Sequence, residues 1–193
     1  LFLPTKYMKV WIISDTHFGH RAMEEYCGRP PDFEERIFKN LKQIQPDDVV
    51  IHLGDFCIGD DVKWHDAWNS ALFSNKRILI RGNHDRKSDS WYYTHGWHTV
   101  CESLSGHYFN RYITFSHIPI AGIQNINIHG HFHNNLHRLL EGKYVVEGEK
   151  ERNEPVLQIL TKNHKLLALE NVNYQPITLE RFLKDLAPEQ RNG

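Results

Sequence analysis

The chain is poor in sulfur. Cys27, Cys57 and Cys101 are its three cysteines; they lie far apart, and no Cys-x-x-Cys pair occurs. That excludes a disulfide framework and a thiolate-rich structural zinc site, and it fits a reducing, cytoplasmic setting. Long hydrophobic runs are missing as well. No stretch approaches the roughly 20 apolar residues that span a bilayer, so no membrane partner is expected. Nor is there an excess of positive charge: 23 Lys and Arg stand against 24 Asp and Glu, for a formal net charge of −1. Such a balance offers no global field to nucleic acid, although a local basic groove stays compatible with one. The opening Leu1-Phe2-Leu3-Pro4 is too short for a signal peptide and lacks its basic start. Met8-Lys9 directly precedes the first strand-like run, so residues 1–7 read as an upstream extension. At 193 residues, one domain over 1–193 is expected.

Histidine is what the chain has in quantity, with fourteen, many beside Asp or Asn. Around them, strand-like and helix-like segments alternate. Val10–Ile13, Val49–Leu53 and Arg77–Ile80 are short apolar runs that read as buried parallel strands. Residues 32–45 read as a helix with Asp32 and Glu35 as a capping box and Phe33, Ile37, Leu41 and Ile44 as its stripe. Residues 61–73 read as another, with Trp64, Trp68, Ala71 and Leu72 on one side. Further on, Tyr112–Phe115 and Ile126–Ile128 are strand candidates, and residues 147–155 read as an exposed charged loop. Val156–Leu160 and Leu166–Leu169 are expected to pair as a hairpin, and Thr178 to cap a last helix carrying Phe182, Leu183 and Leu186. The residues alone predict an α/β protein.

Five short segments carry the chemistry: Asp15-Thr16-His17, Gly54-Asp55, Gly82-Asn83-His84-Asp85, Ser116-His117 and Gly130-His131-Phe132-His133. Each follows a strand candidate, and in an open α/β sheet the loops past the carboxyl ends of strands meet in one crevice. In extended chain, residues i and i+2 point the same way, so Asp15 and His17 can face one metal, and His131 and His133 one side. Carboxylate, imidazole and amide donors suit Mn²⁺, Fe²⁺ or Zn²⁺ better than Ca²⁺, whose ligands are all oxygen.

In order, these segments resemble the signature of the calcineurin-like metallophosphoesterase superfamily. The Asp-Thr-His-Phe-Gly-His opening, His-Leu-Gly-Asp-Phe and the late Tyr174–Glu180 stretch look like its compact bacterial and phage branch. The resemblance implies a four-layer sandwich of two mixed β-sheets flanked by helices. It implies two divalent ions, Mn²⁺ first, with Fe, Zn, Ni or Mg as alternatives. It places Asp15, His17 and His133 on one ion, Asn83, His117 and His131 on the other, and Asp55 between them. His84 becomes the general acid, with Asp85 orienting its ring or raising its pKa. In-line attack by a metal-bridging hydroxide on a small phosphodiester or nucleotide-type substrate is the implied reaction. The chain departs from many relatives in carrying Phe56-Cys57-Ile58-Gly59 after Gly54-Asp55, and Asp85 where they have Glu.

Other residues are weighed singly. His20 and Arg29 follow the first segment and are candidates for substrate phosphate, Arg being suited to oxyanions. His52 and His129 sit inside apolar runs and read as core histidines, Cys57 as an inert thiol, and Trp91, Tyr92, Tyr93 and Trp97 as core. Among alternative functions, a nuclease would use the same site with an added basic groove, and a protein phosphatase would need a surface for its partner. An inactive binding scaffold is disfavoured because each expected ligand and His84 is present. The pattern assigns no oligomeric state.

Overall fold

The structure is a computed structural model, and it describes residues 7–142 and 149–185. Residues 1–6 of the expected extension, residues 147–148 of the expected loop, and Leu186 of the last helix lie outside these. No helix among the described residues is long and apolar enough to cross a membrane.

Among the described residues, nine strands form two sheets. The first holds β1 (Val10–Ile13), β2 (Val49–His52), β3 (Lys76–Ile80), β4 (Thr99–Cys101) and β9 (Ile177–Thr178), in the order β4-β3-β2-β1-β9. Its first four strands run parallel and β9 runs antiparallel to β1. The second sheet holds β5 (Ser103–Tyr108), β6 (Arg111–Ser116), β7 (Ile126–His129) and β8 (His164–Leu166) in chain order. There β5 pairs antiparallel with β6, while β6, β7 and β8 are parallel. The helices are α1 (Met23–Cys27), α2 (Phe33–Leu41), α3 (Asp61–Ala71), α4 (Asp89–Thr94), α5 (Leu136–Glu141), α6 (Glu149–Leu157) and α7 (Leu179–Asp185).

Alternation along the strands divides the core. Ile12, Ile51 and Ile80 of the first sheet meet Ile113, Phe115 and Ile128 of the second, joined by Leu179, Phe182 and Leu183 of α7. The intervening residues Trp11, Ile13, Val50 and Leu79 point the other way, against Phe33 and Ile37 of α2 and Trp68 of α3. This is the α/β sandwich of two mixed sheets with flanking helices. Tyr92 and Trp97 belong to the outer core, whereas Tyr93 is exposed.

Several local expectations are corrected. Asp32 precedes α2 without a side-chain cap bond, and its carboxylate accepts from Arg36 instead, so no capping box forms. Residues 149–155 are helical, within α6, although Pro155 lies inside it and its periodicity is weak. Tertiary packing of Leu157 against Phe132 and Leu139 supplies what local pattern lacks. The expected hairpin is absent: Val156 and Leu157 end α6, and β8 pairs parallel with β7. Thr178 does cap α7, its hydroxyl accepting from the Arg181 amide at 3.3 Å. Ile12→Ala, at a fully buried position between the sheets, is expected to cost about 2–5 kcal/mol in denaturant unfolding. Val62→Ala, at a half-exposed position on α3, should stay within about 0.5 kcal/mol.

Candidate metal centre

The carboxyl ends of β1, β2, β3, β6 and β7 each lead directly into one of the five segments. The first loop does not stay extended. Asp15 and His17 both have left-handed backbone, at φ 51° and 47°, as do Asp55 at 54°, His131 at 75° and His133 at 50°. Such conformations cost non-glycine residues of order 1–3 kcal/mol each, so other contacts must hold them. Backbone hydrogen bonds do this. The amides of Asp15, His17 and Phe18 donate to the carbonyls of Gly54, Asp55 and Phe56, each at 3.0 Å. Asp15 and His17 thus converge through two left-handed turns and not through the alternation of an extended strand. Thr16, between them, turns inward and donates to the Phe56 carbonyl at 2.6 Å. Two glycines are dictated by proximity: a Cβ on Gly82 would strike Asp55, and one on Gly130 would strike Ser14 and Asp15.

The five segments together supply two groups of donor atoms. Asp15, His17 and His133 bring theirs within 4.8 Å of one another, and so do Asp55, His117 and His131. Asp55 stands between the groups, its Oδ2 3.5 Å from His17 Nε2 and 3.3 Å from His117 Nε2. The Asn83 side-chain oxygen lies 3.0 Å from His117 Nε2. Burial, then the neighbouring His133, lowers His17 well below the usual histidine range. Burial and His117 likewise bring His131 down to about 4. Burial also opposes charge on His117 and His133, but Asp55 carries the first up to about 9 and Asp15 carries the second well above its ordinary value. Burial works against Asp55 too, yet His117 and His17 hold its carboxyl well below the carboxylate range.

The residues fit divalent cations. Both ring nitrogens of His17 are buried and lack a hydrogen-bond partner, which leaves them for a group other than protein. Around them stand buried carboxylates and imidazoles, the donor set of Mn²⁺, Fe²⁺ and Zn²⁺. Three of the four imidazoles, His17 being the exception, also have a partner on their far side. His117 Nδ1 donates to the Leu53 carbonyl at 2.8 Å, and His131 Nε2 donates to Asn153 Oδ1 at 2.9 Å. His133 Nδ1 faces Glu170 at 3.4 Å. Burial resists charge on Glu170, but the His133 hydrogen bond and the Arg29 charge bring its pKa down to about 2.

Other expected site residues are distributed unevenly. His84 sits at the mouth, its side chain 37% exposed and its Nε2 3.9 Å from Asp55 Oδ2. Asp85 does not orient that ring. Its two oxygens accept instead from the amides of Asp55 and Gly82, both at 2.8 Å, and of Phe56 at 3.1 Å. His20 is half-buried beside His17, with ring centroids 5.5 Å apart. Arg29 is buried and faces away from the opening. Its guanidinium donates to the carbonyls of Asp15 and Thr16 at 2.7 and 2.8 Å and to Glu170 at 2.8 Å, so the expected phosphate contact is replaced by internal ones. His52 and His129 are core histidines, hydrogen-bonded to the Gly54 amide and the Gly130 carbonyl. Cys57 is a buried thiol.

Glu170 and Asn153 escape sequence reasoning. Glu170 offers only a lone acid in an apolar run, and Asn153 lies in a charged stretch without period. Asp85→Ala would strand two buried amides and a half-buried one, each worth about 1 kcal/mol, and is expected to lower unfolding stability by about 3 kcal/mol. His84→Ala should change stability by less than about 0.5 kcal/mol, since its ring is at the surface. Thermal or denaturant unfolding of the two variants checks both.

The calcineurin-like phosphoesterase family model matches residues 8–189. The uncharacterized protein MJ1445 of Methanocaldococcus jannaschii is 26% identical over 181 residues, covering 91% of this chain and 90% of that protein. A protein of unknown function from Aquifex aeolicus, AQ665, superposes with a TM-score of 0.66 at 22% identity, over 94% of this chain and 100% of that one. That likeness speaks for the fold. Because the family match runs through all five segments, the chain belongs to the calcineurin-like phosphoesterase family, which supports a metal-dependent phosphoester hydrolase.

Proposed function

We propose that the chain, acting as a single cytoplasmic domain, hydrolyses small phosphodiester or nucleotide-type substrates at a centre of two divalent ions, Mn²⁺ first among them. The position of Asp55 carries this reading: one buried carboxylate lies within 3.5 Å of a histidine from each of the two donor groups. Asp15, His17 and His133 would hold one ion, Asn83, His117 and His131 the other, and Asp55 would touch both. Such a pair of ions supplies positive charge to the phosphoryl oxygens and makes water a nucleophile at neutral pH.

The chain's own residues do the rest. The His84 amide donates to Asp55 Oδ1 at 2.8 Å, which fixes the acid to the same carboxylate that joins the donor groups. From the mouth, His84 Nε2 hands a proton to the departing alkoxide oxygen. Asp85 holds the turn that carries His84 by gripping the amides at both sides of it. His20, at the same rim, receives a phosphate oxygen or its substituent. A cleft of about 320 Å³ adjoins Asn83 and His117, walled by Ile118 and Ile120 with Arg81 and Ser103 at its edge. That room beside the reacting phosphate favours a diester, whose second substituent needs a place, over a monoester.

The test is turnover by metal-free protein reconstituted with Mn²⁺, on a nucleoside-type diester and on a p-nitrophenyl diester, beside the monoesters. Activity is expected to vanish with chelator and to be higher on diesters. His84→Ala should lower kcat about 100-fold or more on the nucleoside leaving group and much less on p-nitrophenolate, which departs without a proton. Asp55→Asn should abolish turnover of every substrate. Equal losses of His84→Ala on both leaving groups would contradict the acid role, and an active Asp55→Asn the shared carboxylate.

A further inference from the structure

The two histidines of the segment 130–133 point to different donor groups, and each is backed from behind by a side chain outside the five segments. Behind His133 stands Glu170, a buried carboxylate held by Arg29 at 2.7 Å. Behind His131 stands Asn153 of α6, a neutral amide whose oxygen accepts at 2.9 Å. Arg29 does more than neutralise Glu170. Its other N–H groups grip the carbonyls of Asp15 and Thr16, so one buried ion pair braces the loop that carries Asp15 and His17 together with the ring of His133. One ligand differs in exposure: Asp15, His17 and His117 are buried, whereas Asn83 lies on the surface.

We infer that Glu170 with Arg29, and Asn153, are positioning residues that make the two ion positions unequal: the position of Asp15, His17 and His133 binds its divalent ion tightly, and that of Asn83, His117 and His131 binds weakly. The inference rests on the proposed dinuclear centre. A carboxylate behind an imidazole N–H fixes the tautomer and raises the donor strength of the opposite nitrogen, more than a neutral amide oxygen does. Glu170 also cancels the Arg29 charge, which would otherwise repel a cation beside it. At the other position the donors come from three separate loops, one of them exposed, with neutral backing behind His131. Less of that geometry is fixed before the ion arrives.

Calorimetric titration of Mn²⁺ into the metal-free full chain, with free Mn²⁺ followed by electron paramagnetic resonance, tests this. Wild type is expected to show two binding steps of distinct affinity. Glu170→Gln should weaken the tight step about 10–100-fold and leave the weak step in place. Asn153→Ala should weaken only the weak step. Asn153→Asp, which puts a carboxylate behind His131, should tighten the weak step, a gain that misfolding cannot produce and that decides the matter even if Glu170→Gln does not fold. Two equal steps in wild type, no tightening in Asn153→Asp, or equal losses at both steps in Glu170→Gln would overturn the inference while leaving the dinuclear centre standing. A folded wild type that binds no Mn²⁺ would overturn both.

Discussion

Two carboxylates, Asp15 and Asp55, are buried where the strands of the two sheets end. A charge withdrawn from water at such depth costs several kcal/mol unless opposite charge or hydrogen-bond donors meet it. Much of the surrounding structure follows from that requirement. Asp15 receives the Ser14 hydroxyl and the His131 amide, and His117 and His133 stand within 3.9 Å of it. Asp55 receives the His84 amide and faces His17 and His117. Protonated imidazoles can meet these charges in the bare protein, and cations can take their place because the imidazole nitrogens already point there.

Holding donors on such short loops forces the backbone into a sparsely allowed region, and the loops hold one another in it. The first loop hangs from the carbonyls of the second, and the second is gripped by Asp85 from the third. From the opposite sheet, the His117 carbonyl accepts from the Gly130 amide. This mutual bracing leaves His84 in an unusual state for a proton donor: its backbone is fixed on Asp55 while its ring remains at the surface. Precise placement and access to substrate are both needed for acid catalysis, and here they come from opposite ends of one residue.

The legible part of the molecule was the part written in local pattern. Val10–Ile13 and Val49–His52 announce buried parallel strands because each is a short, continuous apolar run, and the five segments are recognisable because type, order and spacing coincide. Long-range partners left no such mark. Nothing local shows that Arg29 would turn inward to meet Glu170, 141 positions away, in place of reaching for phosphate. Asp85 looked like a partner for its neighbour His84, yet the turn aims it at amides from β2's loop. Helix α6 was hidden by Pro155 and a poor apolar period, since it is stabilised by the Phe132 cluster and not by its own sequence pattern. Asn153 was hidden with it.

Central to the account is a single carboxylate shared by two ions. Anomalous scattering from crystals grown with Mn²⁺ tests it most directly. The account predicts two manganese peaks about 3.5–4 Å apart, with Asp55 in contact with both. A single peak, or two peaks of which Asp55 touches only one, would contradict it.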